Sequence, residues 1–126
     1  MSVTVNNEFG AIEISNDVIA TVVGGAATEI PGVVGMASRQ QVRDGINEIL
    51  NRENYARGVV VSQEDGVNVD VYIIVSYGTK ISEVSKNVQE RVSYQLKASL
   101  GVEADAVNIY VHGVRVQKDW VVEPLN

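Results

Sequence analysis

The chain has 126 residues, a formal net charge of -6 and a pI near 4.7, with no cysteine and a single histidine, His112. These values exclude a disulfide framework, a thiolate metal site and a multi-histidine metal site within one chain. They also argue against a nucleic-acid partner, because phosphates repel an acidic surface.

The length suits a single domain over 1–126, with a core at about 9–116 and a tail at 117–126. A chain of this size buries well over half of its unfolded surface without a staple. No run approaches the roughly 20 apolar residues that a membrane-spanning helix needs. The opening MSVTVNNEFG lacks the charged and apolar regions of a signal peptide. The expectation is a soluble cytoplasmic protein that does not itself insert into a membrane.

Residues 9–14 read as a short strand, with Ile12 and Ile14 on one face and Glu13 on the other. Ser15, Asn16 and Asp17 follow, all good helix N-caps. Val18, Ile19, Val22, Val23, Ala26, Ala27 and Ile30 then recur as the wide stripe of a helix packed on a sheet. Gly24 and Gly25 weaken this helix by about 1 kcal/mol each relative to alanine. With Ala20 and Ala27 nearby, Gly24 suggests a face built for close backbone approach. Pro31-Gly32 stops the helix.

Residues 33–36 are short and apolar, a strand or strand fragment. Val42, Ile46, Ile49 and Leu50 give 38–51 a second helical pattern, interrupted by Gly45, which predicts a marginal rim helix. Around it, Arg39, Arg43, Arg52 and Arg57 nearly balance Asp44, Glu48 and Glu53, the pattern of a solvated face. A polar connector covers 51–57.

Strands at 58–63 and 67–76 meet at Glu64-Asp65-Gly66, a strong hairpin signal. In the second strand Val67, Val69, Val71, Ile73 and Val75 share one face. Asn68, Asp70, Tyr72 and Ile74 share the other. Val84, Val88, Val92 and Leu96 then repeat every four residues in a helix over 81–100 that stops at Gly101. A last strand covers 107–116, and Trp120, Val121, Val122 and Leu125 make the tail unusually apolar.

The order β-α-β-(α)-β-β-α-β predicts an α+β, two-layer sandwich. Its sheet is mainly antiparallel, with the two main helices on one face. A split β-α-β arrangement is the first expectation, and right-handed crossovers restrict the alternatives.

Residues 77–80, Tyr-Gly-Thr-Lys, lead from a strand into a helix N-terminus, whose free N–H groups and dipole favour an anion. Gly78, Thr79, Lys80 and Ser82 are therefore the candidate small-anion residues. In the plainer alternative, Thr79 or Ser82 caps the helix and Lys80 is solvated. The run also lacks the glycine spacing of a P-loop. His112 falls on the polar side of the last strand with no partner in view, so a half-exposed structural role is favoured over a general base. Glu13, Asp70 and Glu83 have no spacing that pairs them, and no Gly-x-Ser-x-Gly elbow is present.

The partly apolar second face is more informative. Clean alternation places Tyr72, Ile74, Tyr110, Val114 and Val116 there, with Tyr72, Ile74, Tyr110 and Val114 as candidate interface residues. Such a face marks a protein interface, or it is covered within the monomer by the rim helix at 38–51. Base stacking by single-stranded RNA would need a basic surround, which this chain lacks.

The chain resembles the alkaline-shock-protein family of envelope stress response proteins of Gram-positive bacteria. The matching runs are 9–14 with SNDVIATVVGGAATEIPGVVGMA at 15–37, RDGINEIL at 43–50, VDVYIIVSYGTKISEV at 69–84 and VNIYVHGVRV at 107–116. The RDGINEIL version is most similar to the family's small housekeeping member. The tail after Val116 does not map onto the family pattern. The resemblance implies no enzymatic activity, no catalytic residues and no cofactor. It implies a role in cell-envelope or lipid homeostasis, exercised near the membrane through an anchored protein partner. The expected function is thus a non-enzymatic cytoplasmic scaffold in cell-envelope stress or lipid homeostasis, binding a protein partner or further copies of itself. The alternative is a small-anion or metabolite sensor at the Gly78-Thr79-Lys80 turn.

Overall fold

The computed structural model describes residues 2–38 and 52–116. The expected tail, and the expected rim helix beyond its first position, lie outside them. At that first position Ser38 is buried.

The chain opens with an antiparallel hairpin, β1 (Ser2–Asn7) and β2 (Gly10–Ser15), joined through Glu8 and Phe9. Only the second strand was expected. Val3 pairs with Ile14 and Val5 with Ile12, which puts these side chains on one face of the hairpin. Val3 belongs to the core, so the packed body begins ahead of residue 9.

Helix α1 (Asn16–Thr28) starts at Ser15, whose hydroxyl oxygen accepts a hydrogen bond from the Val18 amide at 3.3 Å. Its buried side is Ile19, Ala20, Val23, Gly24, Ala26 and Ala27. Val18, part of the predicted stripe, is 47% exposed because it sits on the flank of the first turn.

The four-stranded sheet is organised by β5 (Asn68–Ser76). On one edge, β3 (Val33–Met36) pairs antiparallel with the second half of β5 and β4 (Val59–Ser62) with the first half, end to end. On the other edge, β6 (Ala106–Arg115) runs parallel to β5 along its whole length. The structure corrects the split arrangement. Because β3 and β4 share the far edge, nothing separates β5 from β6, and β5, the helix over Ile81–Gln95 and β6 form a direct parallel crossover.

A 3-10 segment (Arg52–Gly58) stands where a connector was expected. It returns the chain against α1, where Tyr55 packs on Gly24 so tightly that an added Cβ would lie 2.7 Å from the Tyr55 Cβ. This is the close approach foreshadowed by the small residues of α1. In the β4–β5 turn, Asp65 and Gly66 have φ of 57° and 99°, a left-handed geometry that favours glycine. The Asp105 carboxylate fastens this turn by accepting from the Val67 amide at 2.7 Å.

Helix α2 (Ile81–Gln95) continues through one wider π turn (Leu96–Leu100) to Gly101. Both helices pack on the face of β5 formed by Val69, Val71, Ile73 and Val75, all fully buried. Each such side chain contributes about 1.5–3 kcal/mol. Val84, Val88, Val92 and Leu96 meet them from α2. The α+β sandwich with its helices on one face is as the sequence predicts.

Gln89 of α2 reaches over and donates from Nε2 to the Val107 carbonyl oxygen at 2.9 Å. The ladder between β5 and β6 then breaks: Ile73 pairs with Val111 but Ile74 pairs with Gly113. His112 is the extra residue of a β-bulge.

Candidate functional site

The turn before α2 is closed largely by its own hydrogen bonds. Gly78 has φ of 89°. The Thr79 amide donates to the Ser76 carbonyl at 3.2 Å, and the Thr79 hydroxyl donates to the same oxygen. The hydroxyl is thereby drawn back to the strand, away from the helix. Lys80 occupies the N-cap position, and no side chain caps α2. The alternative in which Thr79 or Ser82 serves as the cap is therefore not what the structure shows. Lys80 and Ser82 are exposed. Glu83 lies in the first turn of α2, where its negative charge already complements the dipole and repels an incoming anion.

The second face of the sheet carries an aromatic ladder. The Tyr72 ring stacks on Tyr110 at 4.9 Å with 18° between planes, and on His112 at 5.5 Å and 12°. These rings meet because Tyr72 is paired with Tyr110 in the parallel register and the bulge keeps His112 beside them. Each offset stack contributes about 0.5–1.5 kcal/mol beyond area burial. Next to the ladder, Asn108 donates from Nδ2 to Asp70 Oδ1 at 2.9 Å. Tyr110 is 44% exposed.

Two of the predicted interface residues do not lie exposed on this face. Ile74 is only 4% exposed. Both its cross-strand partners, Gly35 and Gly113, lack side chains, so its cover comes from outside its own row. Val114 pairs with Val75, on the helix-side face. Its expected place rested on unbroken alternation, which the bulge at His112 shifts by one residue. The same shift takes Val116 out of the Tyr72 row.

The three carboxylates stay apart. Glu13 accepts from the Ser2 hydroxyl at 2.6 Å, Asp70 holds Asn108, and Glu83 starts α2. Among the described residues no cluster of histidine, aspartate and glutamate could hold a metal ion.

Sequence reasoning missed two exposed apolar sites. One is the hairpin tip, with Phe9 at 90% and Ile12 at 51% exposed. The other is the corner where β5 turns into α2 beside the end of β6. There Tyr77 is 71%, Ile81 40%, Val114 49% and Val116 48% exposed. The apolar residues within 73–77 and 114–116 were legible, but the bulge that gathers them was not.

A family model for the alkaline shock protein 23 family, described as having a cell envelope-related function, matches residues 4–116. The uncharacterized protein Spy1614 of Streptococcus pyogenes is 58% identical over 117 residues, 92% of this chain and 97% of the relative. The uncharacterized protein YloU of Bacillus subtilis is 56% identical over 117 residues, 92% of this chain and 98% of the relative. The uncharacterized protein YqhY, also of Bacillus subtilis, is 32% identical over 111 residues, 87% of this chain and 81% of the relative. No solved structure matches the chain.

Proposed function

Since the chain belongs to the alkaline shock protein 23 family, with its cell envelope-related function, we propose that it is a non-enzymatic interaction protein of the cytoplasm, held at the inner face of the membrane by an anchored protein partner and able to associate with further copies of itself. The observation that supports this reading most is the aromatic ladder Tyr110–Tyr72–His112, whose Tyr110 ring remains 44% exposed. Tyrosine offers a large contact area with few rotatable bonds, which is why it dominates interface hot spots. No helix among the described residues is long and apolar enough to cross a membrane, and attachment through a partner requires none.

The test is co-sedimentation of wild type and Tyr110→Glu with native membranes and with protein-free vesicles of the same lipids. The reading expects wild type to pellet with native membranes alone, and the variant to stay in the supernatant with its circular dichroism unchanged. Equal pelleting of both proteins, or wild-type binding to bare vesicles, would count against it. If Tyr110→Glu loses its fold, Tyr110→Ala replaces it. The small-anion sensor has one supporting feature, the uncapped start of α2. A phosphate titration that leaves the amides of Gly78 and Ile81 unshifted removes it.

A further inference from the structure

The exposed corner Tyr77, Ile81, Val114 and Val116 has a composition unlike a solvated turn. Tyr77 continues β5 beside the end of β6, and its amide donates to the Arg115 carbonyl at 2.9 Å. Val114 lies opposite Val75, and Ile81 begins α2 directly after the turn. Four apolar side chains, each at least 40% exposed, thus gather at one end of the sheet. Exposed apolar side chains brought to one end of a sheet are the composition of a binding surface.

The chain itself leads into this patch. Residue 116 ends the family match. The sequence that follows, QKDWVVEPLN at 117–126, holds Trp120, Val121, Val122 and Leu125. Between Val116 and Trp120 lie only Gln117, Lys118 and Asp119. The four Cα steps from Val116 to Trp120 reach at most about 14 Å. A tether that short holds its apolar residues at millimolar effective concentration around a patch of which Val116 is already part. The charges also fit. Around the corner stand Lys80, Arg115 and Glu83, a net charge of +1, whereas 117–126 carry Lys118, Asp119 and Glu123, a net charge of -1.

We propose that the corner formed by Tyr77, Ile81, Val114 and Val116 is the docking site for this chain's own residues 117–126, with Trp120 as the anchor. Burial of apolar area drives the docking, and Lys80 and Arg115 orient it. The segment then shields an apolar surface that a partner would have to displace it to reach.

Trp120 is the only tryptophan, so its fluorescence reports on the docking without a label. In the full chain its emission should be blue-shifted relative to the urea-unfolded chain, and acrylamide should quench it several-fold less efficiently, independent of protein concentration. Tyr77→Asp with Val114→Asp should return emission and quenching to the unfolded values while circular dichroism stays unchanged. In an isotope-labelled chain ending at Val116, the amides of Tyr77, Gly78 and Ile81 should shift relative to the full chain. Solvent-exposed Trp120 emission in the folded wild type would overturn the proposal. So would amides of the shortened chain that coincide with those of the full chain. A blue shift that disappears on dilution would place 117–126 on a second copy and overturn docking within one chain. These readouts hold even if the double variant does not fold.

Discussion

Replacing Gly24 with alanine should weaken the domain, whereas the same change at Gly25 should strengthen it. Both glycines lie inside α1, and alanine is favoured over glycine in a helix interior by about 0.8–1.0 kcal/mol. At Gly25 an added Cβ meets nothing within 4 Å, so most of that gain is realised. At Gly24 the new Cβ would lie 2.7 Å from the Tyr55 Cβ and 3.4 Å from its Cγ and its carbonyl oxygen. Carbon atoms pack best at about 3.5–4.0 Å, so the 3-10 segment must retreat from α1 by roughly 1 Å. Overpacking of that kind costs about 1–3 kcal/mol. Subtracting the helix gain leaves Gly24→Ala destabilised by up to about 2 kcal/mol. The two variants should therefore differ by about 1–3 kcal/mol, or several degrees in Tm. Urea unfolding followed by circular dichroism measures the difference, with the slope on denaturant unchanged. Midpoints that move equally and in the same direction would refute the close contact between Tyr55 and α1.

Gly66→Ala combines a backbone φ of 99° with a Cβ placed 2.0 Å from Asp105 Oδ2, and should cost at least about 1–3 kcal/mol; hydrogen exchange at Val67 should rise with it. Leu96→Ala, at a fully buried position, should lose about 2–5 kcal/mol by thermal or urea unfolding. The Arg91–Glu29 ion pair joins α2 to the end of α1 at 2.7 Å with both side chains substantially exposed. A double-mutant cycle should give it less than about 1 kcal/mol, fading as salt is raised.

The local elements were legible because their signals are local. Ser15 caps α1 through its own hydroxyl. Asp65-Gly66 supplies the left-handed turn, and the four-residue repeat from Val84 to Leu96 faces the core. The placement of Tyr72 and Tyr110 on one face followed from alternation, which holds up to Val111; their contact did not, because a split arrangement would have kept β5 and β6 apart. What failed depends on partners distant in sequence. Strand β1, with its alternation of Val3 and Val5 cut short by Asn6 and Asn7, is recognisable only from its pairing with β2. The end-to-end placement of β3 and β4 on β5 is a choice among edges that no single strand encodes. The bulge at His112 leaves no mark in a period-two pattern, and it moved Val114 off the face where alternation had put it.

That bulge, taken with the Gln89 side chain, bears on what the margin of the sheet offers to another strand. Among the described residues no strand pairs the outer edge of β6, and a long bare edge invites sheet growth from chain to chain. The Ala106 amide donates toward Val67, so strict alternation points the backbone N–H and C=O groups of Val107, Ile109 and Val111 away from β5, while their side chains face the core. Gln89 already occupies the Val107 carbonyl. Past Val111 the backbone kinks at the bulge. Among the described residues only Ile109 and Val111 then present a straight run of open backbone, a template too short for an incoming strand to gain a stable register. The protein can thus keep a long, apolar parallel strand at the margin of its sheet without seeding the association of unfolded or crowded copies.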